Sequence, residues 1–181
     1  MNLSNLRLLL LFLLLLSLTG CRPSSEKQAD ELFSEGYRIS GKQLKFFNQY
    51  APELGQTFSD QNRAQFPANR DWMNRRVQRI LPLMDESLRL GNQAAGKYEE
   101  SSRFWTREEQ RKGVALIAAS FRKSVEIEQL LKEQALLPLD LTITDAKTFN
   151  EKYDHIFELI YQKQKEHDDQ FAEGKRLMMT K

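Results

Sequence analysis

Two histidines, His155 and His167, are the side chains best suited to metal binding or acid–base catalysis in this sequence of 181 residues. Both fall on one predicted C-terminal helix, where twelve residues separate them by about 18 Å along the axis and roughly 120° around it. They therefore cannot bind the same metal ion. Glu151 precedes His155 by about one helical turn, so a metal site made from these two residues and ligands of another helix remains an alternative.

The usual sequence signatures of enzymes are missing. The chain contains no Cys-x-x-Cys-His for covalent haem, no glycine-rich phosphate loop after a strand, and no Gly-x-Ser-x-Gly. A nucleophilic triad would need a serine near one of the two histidines, and no spacing selects one. The sequence therefore predicts no catalytic residue, no cofactor and no enzymatic activity.

The densest positive cluster is a basic face formed by Arg70, Arg75, Arg76 and Arg79, with Trp72 among them. Arg75 and Arg79 lie one helical turn apart, an arrangement that suits an anionic headgroup, a phosphate or an acidic partner. The alternative is a solvated face surrounded by acids of neighbouring helices. Nucleic acid is not an expected partner, because residues 21–181 carry 26 basic and 25 acidic side chains.

The N-terminus has the pattern of a targeting segment. Arg7 is the only charged residue among residues 1–20, and residues 8–16 are an unbroken apolar run of nine. Nine residues cannot span a bilayer core of about 30 Å, so the pattern predicts a secretory signal peptide and not a membrane-spanning helix.

The run ends at Leu18-Thr19-Gly20-Cys21, which resembles the lipobox of bacterial lipoproteins. The resemblance implies that Cys21, the single cysteine of the chain, is acylated and becomes the first residue of the mature protein. The protein would then be lipid-anchored in the cell envelope, and Arg22 would favour the outer membrane, facing the periplasm, in a host with two membranes. The alternative is an ordinary signal peptide that ends near a chance cysteine.

Four long amphipathic helices are predicted, because apolar residues recur at helical spacing between capping signals and prolines. The first begins with Ser25-Glu26-Lys27-Gln28 and ends near Ala51, before Pro52. The other three begin after Asn69, after a capping box at Thr106-Arg107-Glu108-Glu109, and after Thr144-Asp145.

The connections are a loop at residues 52–68, with at most one short helical turn, and an extended segment at residues 137–143. Helices of comparable length with such connections predict an all-α fold, an antiparallel up-and-down four-helix bundle. Residues 1–20 are then the signal peptide, residues 21–24 the lipidated N-terminus and short tether, and residues 25–181 the bundle domain.

Two aromatic and asparagine phrases, Phe47-Asn48-Gln49-Tyr50 and Phe149-Asn150-Glu151-Lys152-Tyr153, weakly resemble a family of uncharacterised helical bacterial lipoproteins. The resemblance covers about a tenth of the chain and implies no activity.

An up-and-down path returns the connection near residues 101–106 to the anchored end. There Arg103, Phe104, Trp105 and Arg107 form a candidate membrane-facing corner, suited to lipid headgroups. The alternative is that the two aromatic rings close the end of the core.

At the opposite end, Leu137, Leu139, Leu141 and Ile143 form a candidate distal patch for a partner. The alternative is that these residues pack against Phe58 and Phe66 and close the core.

We therefore expect a membrane-anchored lipoprotein that acts without catalysis as a cell-envelope binding or assembly module. Its partners would be the bilayer, through acylated Cys21, and an envelope protein. The alternative is a bundle that binds a small hydrophobic or anionic ligand, or a metal, between its helices.

Overall fold

The computed structural model describes residues 25–179, and these residues form an all-helical fold. The helices are α1 (Ser25–Thr57), α2 (Asp60–Ala64), α3 (Arg70–Ser102), α4 (Glu108–Leu136), a 3₁₀ turn (Leu137–Leu139) and α5 (Ala146–Met178). The predicted signal peptide, the tether with Cys21 and residues 180–181 lie outside the described residues. Among the helices of residues 25–179, none combines the length and apolar character needed to cross a bilayer.

The long helices pack in chain order. α1 packs against α3, α3 against α4, and α4 against α5, whereas α1 makes no comparable contact with α5. The start of α1 lies beside the end of α3, since the Ser101 hydroxyl donates to the carbonyl of Ala29 at 2.8 Å. The end of α1 lies beside the start of α3, where Glu53 pairs with Arg76 at 2.8 Å.

The buried apolar side chains form two clusters. The first surrounds Phe58, Phe66 and Phe149, whose rings stack on one another. The second surrounds Tyr98 and Ile117 towards the other end of the helices. Burial of these side chains supplies the main driving force for folding, because removing apolar surface from water is favourable by about 25 cal/mol per Å².

The first helix is longer than predicted, because it continues through Pro52 to Thr57. The prediction that it ends near Ala51 is wrong. Pro52 cannot donate a hydrogen bond to the preceding turn, but Leu54, Thr57 and Phe58 beyond it are buried in the core. Their burial offsets the lost hydrogen bond. The short helix α2 agrees with the single helical turn allowed for residues 52–68.

The two capping predictions for the later helices have different outcomes. Asp145 is confirmed as the cap of α5, since its carboxylate accepts from the backbone N–H of Thr148 at 2.8 Å. The capping box at Thr106 is wrong: α4 begins at Glu108, and the Thr106 hydroxyl donates instead to the carboxylate of Glu26 in α1. A tertiary hydrogen bond has therefore replaced the local one.

The segment between α4 and α5 is not extended as predicted. Residues 137–139 form a 3₁₀ turn, which suits the fixed backbone angle of Pro138. Asp140 then accepts from the backbone N–H of Thr142 at 2.9 Å, a local turn that brings the chain back to the core.

Candidate functional site

A groove opens between α1 and α5, above α4, and we call it the α1–α5 groove. Its volume is about 590 Å³, within the range of small-molecule sites. It is lined mainly by apolar and aromatic side chains with a few polar ones. The lining residues are Tyr37, Ser40, Gly41, Gln43, Leu44, Phe47, Phe121, Ser124, Ile127, Glu128, Leu131, Ile160, Gln164 and His167.

The groove exists because, among the long helices, α5 packs against α4 and leaves α1 without a neighbour on that side. Although α5 has 33 residues, it fully buries only Phe149 and Gly174. Large apolar side chains of both helices remain in solvent: Tyr37 of α1, which lines the groove, is 73% exposed, and Tyr161 of α5 is 72% exposed. Leu44 and Phe157 are also exposed. Exposed apolar surface on two facing helices is typical of a binding site.

The polar part of the groove is a hydrogen bond between Gln43 of α1 and Glu128 of α4. The Gln43 side-chain amide donates to Glu128 Oε1 at 2.8 Å. Glu128 is only 4% exposed, and its second oxygen, Oε2, is buried without a hydrogen-bond partner. A buried acceptor with no partner is uncommon in folded proteins and is costly in free energy.

Gln43 and Glu128 belong to a polar layer that crosses the middle of the helices. Ser87 of α3 lies in the same layer, and its hydroxyl donates to the backbone carbonyl of Gln43 at 3.5 Å. Gln43 stands between Ile39 of one apolar cluster and Phe47 of the other. The polar layer therefore separates the two halves of the core.

A glycine makes room for this layer. A Cβ atom at Gly91 would lie 2.7 Å from Nε2 of Gln43 and 2.9 Å from a methyl of Val125. The absence of a side chain at Gly91 thus lets the Gln43 amide reach Glu128. From the sequence alone, Gly91 indicates only that α3 is less stable as a helix at this position.

Burial sets the electrostatics of the layer. Desolvation raises the pKa of Glu128 above its ordinary value, against a smaller lowering by Gln43 and Ser87. Burial also raises the pKa of Tyr50, and the neighbouring charge of Glu128 adds to that effect. The Tyr50 hydroxyl is fully buried and has no hydrogen-bond partner.

In the part of the chain that the structure describes, neither histidine belongs to a cluster of side chains that could bind a metal ion. His167 lies at the edge of the groove, where its Nδ1 is 3.0 Å from Asp168 Oδ1, a contact that lowers the pKa of Asp168. His155 is exposed on α5. Within residues 25–179, no group of three or more His, Cys, Asp or Glu side chains could hold a metal ion. The arrangement gives Glu151 and His155 no further ligand.

Most of the basic face makes contacts within the molecule. Arg70 donates to the carbonyl of Ile143. Arg76 and Arg79 both pair with Glu53 of α1, at 2.8 and 2.9 Å, while Arg75 is exposed. These arginines therefore join α3 to its neighbours, which reduces their capacity to bind an external anion.

The distal patch is divided by the fold. Leu137 and Ile143 are buried in the cluster that contains Phe58 and Phe66. Leu139 is partly exposed, and Leu141 is 77% exposed. Only Leu139 and Leu141 are therefore accessible to a partner.

The membrane-facing corner lies beside the start of α1, because Thr106 within it bonds to Glu26. Trp105 is half-buried, and its indole N–H donates to the Ser101 hydroxyl at 3.2 Å. Phe104 is also half-buried, whereas Arg103 and Arg107 are exposed. The corner thus presents two cationic side chains next to rings that partly close the core.

Sequence reasoning missed Gln43 and Glu128, the polar pair of the groove. Glu128 follows Val125 by three residues and precedes Ala135 by seven, and both neighbours are buried. These spacings place it on the core-facing stripe of α4. A carboxylate in that position was the signal that could have identified the site.

Comparisons of the chain with protein-family models, with curated proteins and with solved structures gave no match. The interpretation of the groove therefore depends on its own residues and geometry.

Proposed function

We propose that this chain is a bacterial lipoprotein that binds a small amphiphilic ligand in the α1–α5 groove, as a non-catalytic binding module of the cell envelope. One observation carries the proposal: an apolar groove of about 590 Å³ whose floor contains a buried, incompletely bonded carboxyl group. Apolar walls with a few convergent polar groups are the usual composition of a ligand site.

The architecture that we propose is an antiparallel up-and-down four-helix bundle that is open between its first and last helices. It is supported by pairwise contacts: Ala29 with Ser101 and Glu53 with Arg76 between α1 and α3, and Gly113 with Gly174 between α4 and α5. Each pair joins an early part of one helix to a late part of the other. A closed bundle would also pack α1 against α5.

We propose acylated Cys21 as the anchor and, in a host with two membranes, the outer membrane facing the periplasm as the location. Two contacts support the corresponding orientation. The corner at residues 103–107 adjoins the start of α1, and Met178 at the end of α5 adjoins Gly113 at the start of α4. These segments share the end that is only four residues from Cys21, so Arg103 and Arg107 would face lipid headgroups.

Binding is proposed in preference to catalysis because the groove lacks a paired acid and base. Its lining contains one carboxyl group and one imidazole, Glu128 and His167, and no hydrogen bond joins them in the structure. General acid–base catalysis requires such groups within hydrogen-bond reach of the reacting atoms.

The test uses the mature lipidated protein in nanodiscs of zwitterionic lipid, with the neutral fluorescent probe N-phenyl-1-naphthylamine and empty nanodiscs as the blank. We expect saturable, protein-dependent fluorescence. Gly41→Trp should weaken probe binding at least tenfold, because the new ring occupies the groove. The absence of saturable binding by the wild type would refute the proposal.

Gly55→Trp is the matched control. Both glycines lie in α1, both are exposed, and an added Cβ meets nothing within 4 Å at either position. Only Gly41 lines the groove, so Gly55→Trp should bind the probe like the wild type. Equal effects of the two substitutions would place the probe elsewhere.

A second candidate function, capture of an envelope protein at the distal end, is favoured by the exposure of Leu141. Photocrosslinking in cells from a probe at Leu141 tests it. A discrete protein adduct supports partner capture, and the absence of any adduct contradicts it.

A further inference from the structure

The carboxyl group of Glu128 has no cationic partner in the structure. The donors beside it are neutral, since the Gln43 amide donates to Oε1 at 2.8 Å and the Ser87 hydroxyl lies close by, and no ion pair involves it among residues 25–179. Glu126, the half-buried carboxylate of α4, is different because it pairs with Lys123 and Lys163. Glu128 is therefore an acid that lies in an apolar site without counter-charge.

The lining of the groove holds one basic group, the imidazole of His167, whose Nδ1 lies 3.0 Å from Asp168 Oδ1. It contains no Lys and no Arg, whereas 27 such residues occur in the chain. It does contain the rings of Tyr37, Phe47 and Phe121, whose faces attract cations. An anionic ligand would meet a carboxylate without a compensating cation, so the groove does not suit the anionic option.

We propose that the ligand of the α1–α5 groove is an amphiphile with a protonated primary amine, whose ammonium group pairs with Glu128 while its hydrocarbon body lies along the apolar walls. This inference rests on the proposed function. An ammonium supplies both the counter-charge and the hydrogen-bond donor that Oε2 lacks. Oε1 accepts from Gln43, and Oε2 is the oxygen that has no hydrogen-bond partner among residues 25–179.

Burial also supports this choice. Desolvation raises the pKa of Glu128, because burial disfavours the charged form of a carboxyl group. An ammonium in contact would stabilise the ionised form. A neutral ligand would remove water from the groove without that compensation.

The experiment compares three ligands of equal chain length, octylamine, octan-1-ol and octanoate, by displacement of N-phenyl-1-naphthylamine from the lipidated protein in nanodiscs. For the wild type we expect octylamine to bind at least tenfold more tightly than octan-1-ol, and octanoate to bind most weakly. Equal binding of octylamine and octan-1-ol would overturn the inference. Because this comparison uses unmodified protein, it does not depend on whether a variant folds.

Glu128→Gln should then lose the preference for octylamine and keep the affinity for octan-1-ol and for the probe within threefold. Glu133→Gln, an exposed residue on the same helix, is the matched control and should keep the preference. If Glu128→Gln retains the tenfold preference, the ammonium does not pair with Glu128 and the inference fails. Saturable probe binding without any preference for the amine would leave the proposed function intact, and the absence of probe binding would remove both.

Discussion

The buried carboxyl group of Glu128 should make the stability of the protein depend on pH, and Glu128→Gln should remove that dependence. The pKa of Glu128 is raised in the folded state by burial. Between the pKa of the unfolded chain, about 4.3, and the higher folded pKa, the native protein holds a proton that the unfolded chain has lost. The free energy of unfolding therefore falls as the pH rises through this interval.

The size of the effect follows from the number of protons involved. One carboxyl group differs by at most one proton between the two states, which corresponds to a slope of about 1.4 kcal/mol per pH unit. Carboxyl groups held by neighbouring donors act at lower pH. Asp140, whose pKa is lowered to about 2 by hydrogen bonds from Thr142 and Lys152, loses its contribution only in acid. All other titratable groups are common to wild type and Glu128→Gln, so the difference between the two proteins reports Glu128.

The assay is urea denaturation of wild type, Glu128→Gln and the exposed control Glu133→Gln at half-unit steps from about pH 4, just below the unfolded pKa, to about pH 8. The difference in free energy of unfolding between Glu128→Gln and wild type should grow with pH, since the amide cannot ionise. Glu133→Gln should follow the wild type at every pH.

A constant difference between wild type and Glu128→Gln over the whole range would refute the reasoning. It would mean that Glu128 titrates at the same pH in both states, and that its carboxylate is solvated or paired in a way that the structure does not contain.

Three further predictions concern packing and capping. A Cβ at Gly174 would lie 2.7 Å from the Gly113 carbonyl, so Gly174→Ala should lower the free energy of unfolding by about 1–3 kcal/mol. Gly96→Ala, where nothing lies within 4 Å, should raise it by about 0.5–1 kcal/mol; urea denaturation measures both, and shifts of equal sign would contradict the packing argument. Asp145→Ala should speed amide hydrogen exchange in the first turn of α5 several-fold, and unchanged exchange would show that the cap is dispensable. Tyr50→Phe removes a buried hydroxyl without a partner and should raise the free energy of unfolding by about 1 kcal/mol, whereas a loss of similar size in urea denaturation would indicate a bond that the hydroxyl makes through water.

The long helices could be predicted from the sequence because their apolar periodicity extends over about 30 residues. Their ends were harder to predict where tertiary contacts compete with local signals. Pro52 is a strong local signal for the end of a helix, yet α1 continues beyond it because Leu54 and Phe58 are buried in the core. Thr106 has the spacing of a capping box, yet its hydroxyl bonds to Glu26, which is 80 residues away in the sequence.

The groove could not be predicted in the same way, because it depends on which helices fail to meet. An amphipathic stripe indicates that a helix buries one face, but it does not say against which neighbour. Leu44 and Ile160 look like ordinary core positions in the sequence, and only the separation of α1 from α5 exposes them to a common space. The spacing of Glu128 from buried residues of α4 indicates that this acid faces the core. The sequence does not indicate that Gln43 is its hydrogen-bond partner.

The same limits apply to the candidate surfaces. The spacing of the arginines on α3 places Arg75 and Arg79 one helical turn apart, but it does not indicate that Glu53 of another helix pairs with Arg76 and Arg79. Such pairing depends on the tertiary arrangement of α1 and α3, which the spacing within one helix does not contain.

The last helix is buried most completely near its two ends, at Phe149 and Gly174, and between them the ion pairs of Lys163 with Glu126 and of Glu166 with Lys123 join it to α4. About 37 Å of helix lies between Phe149 and Gly174, and this stretch forms one wall of the groove. Its backbone should open locally before the rest of the molecule, which native-state hydrogen exchange would register as low protection. An amine that fills the groove binds only the closed form and shifts the equilibrium towards it by mass action. Ligand binding in the groove would therefore make α5 more rigid as far as its end at Met178, without any change of fold.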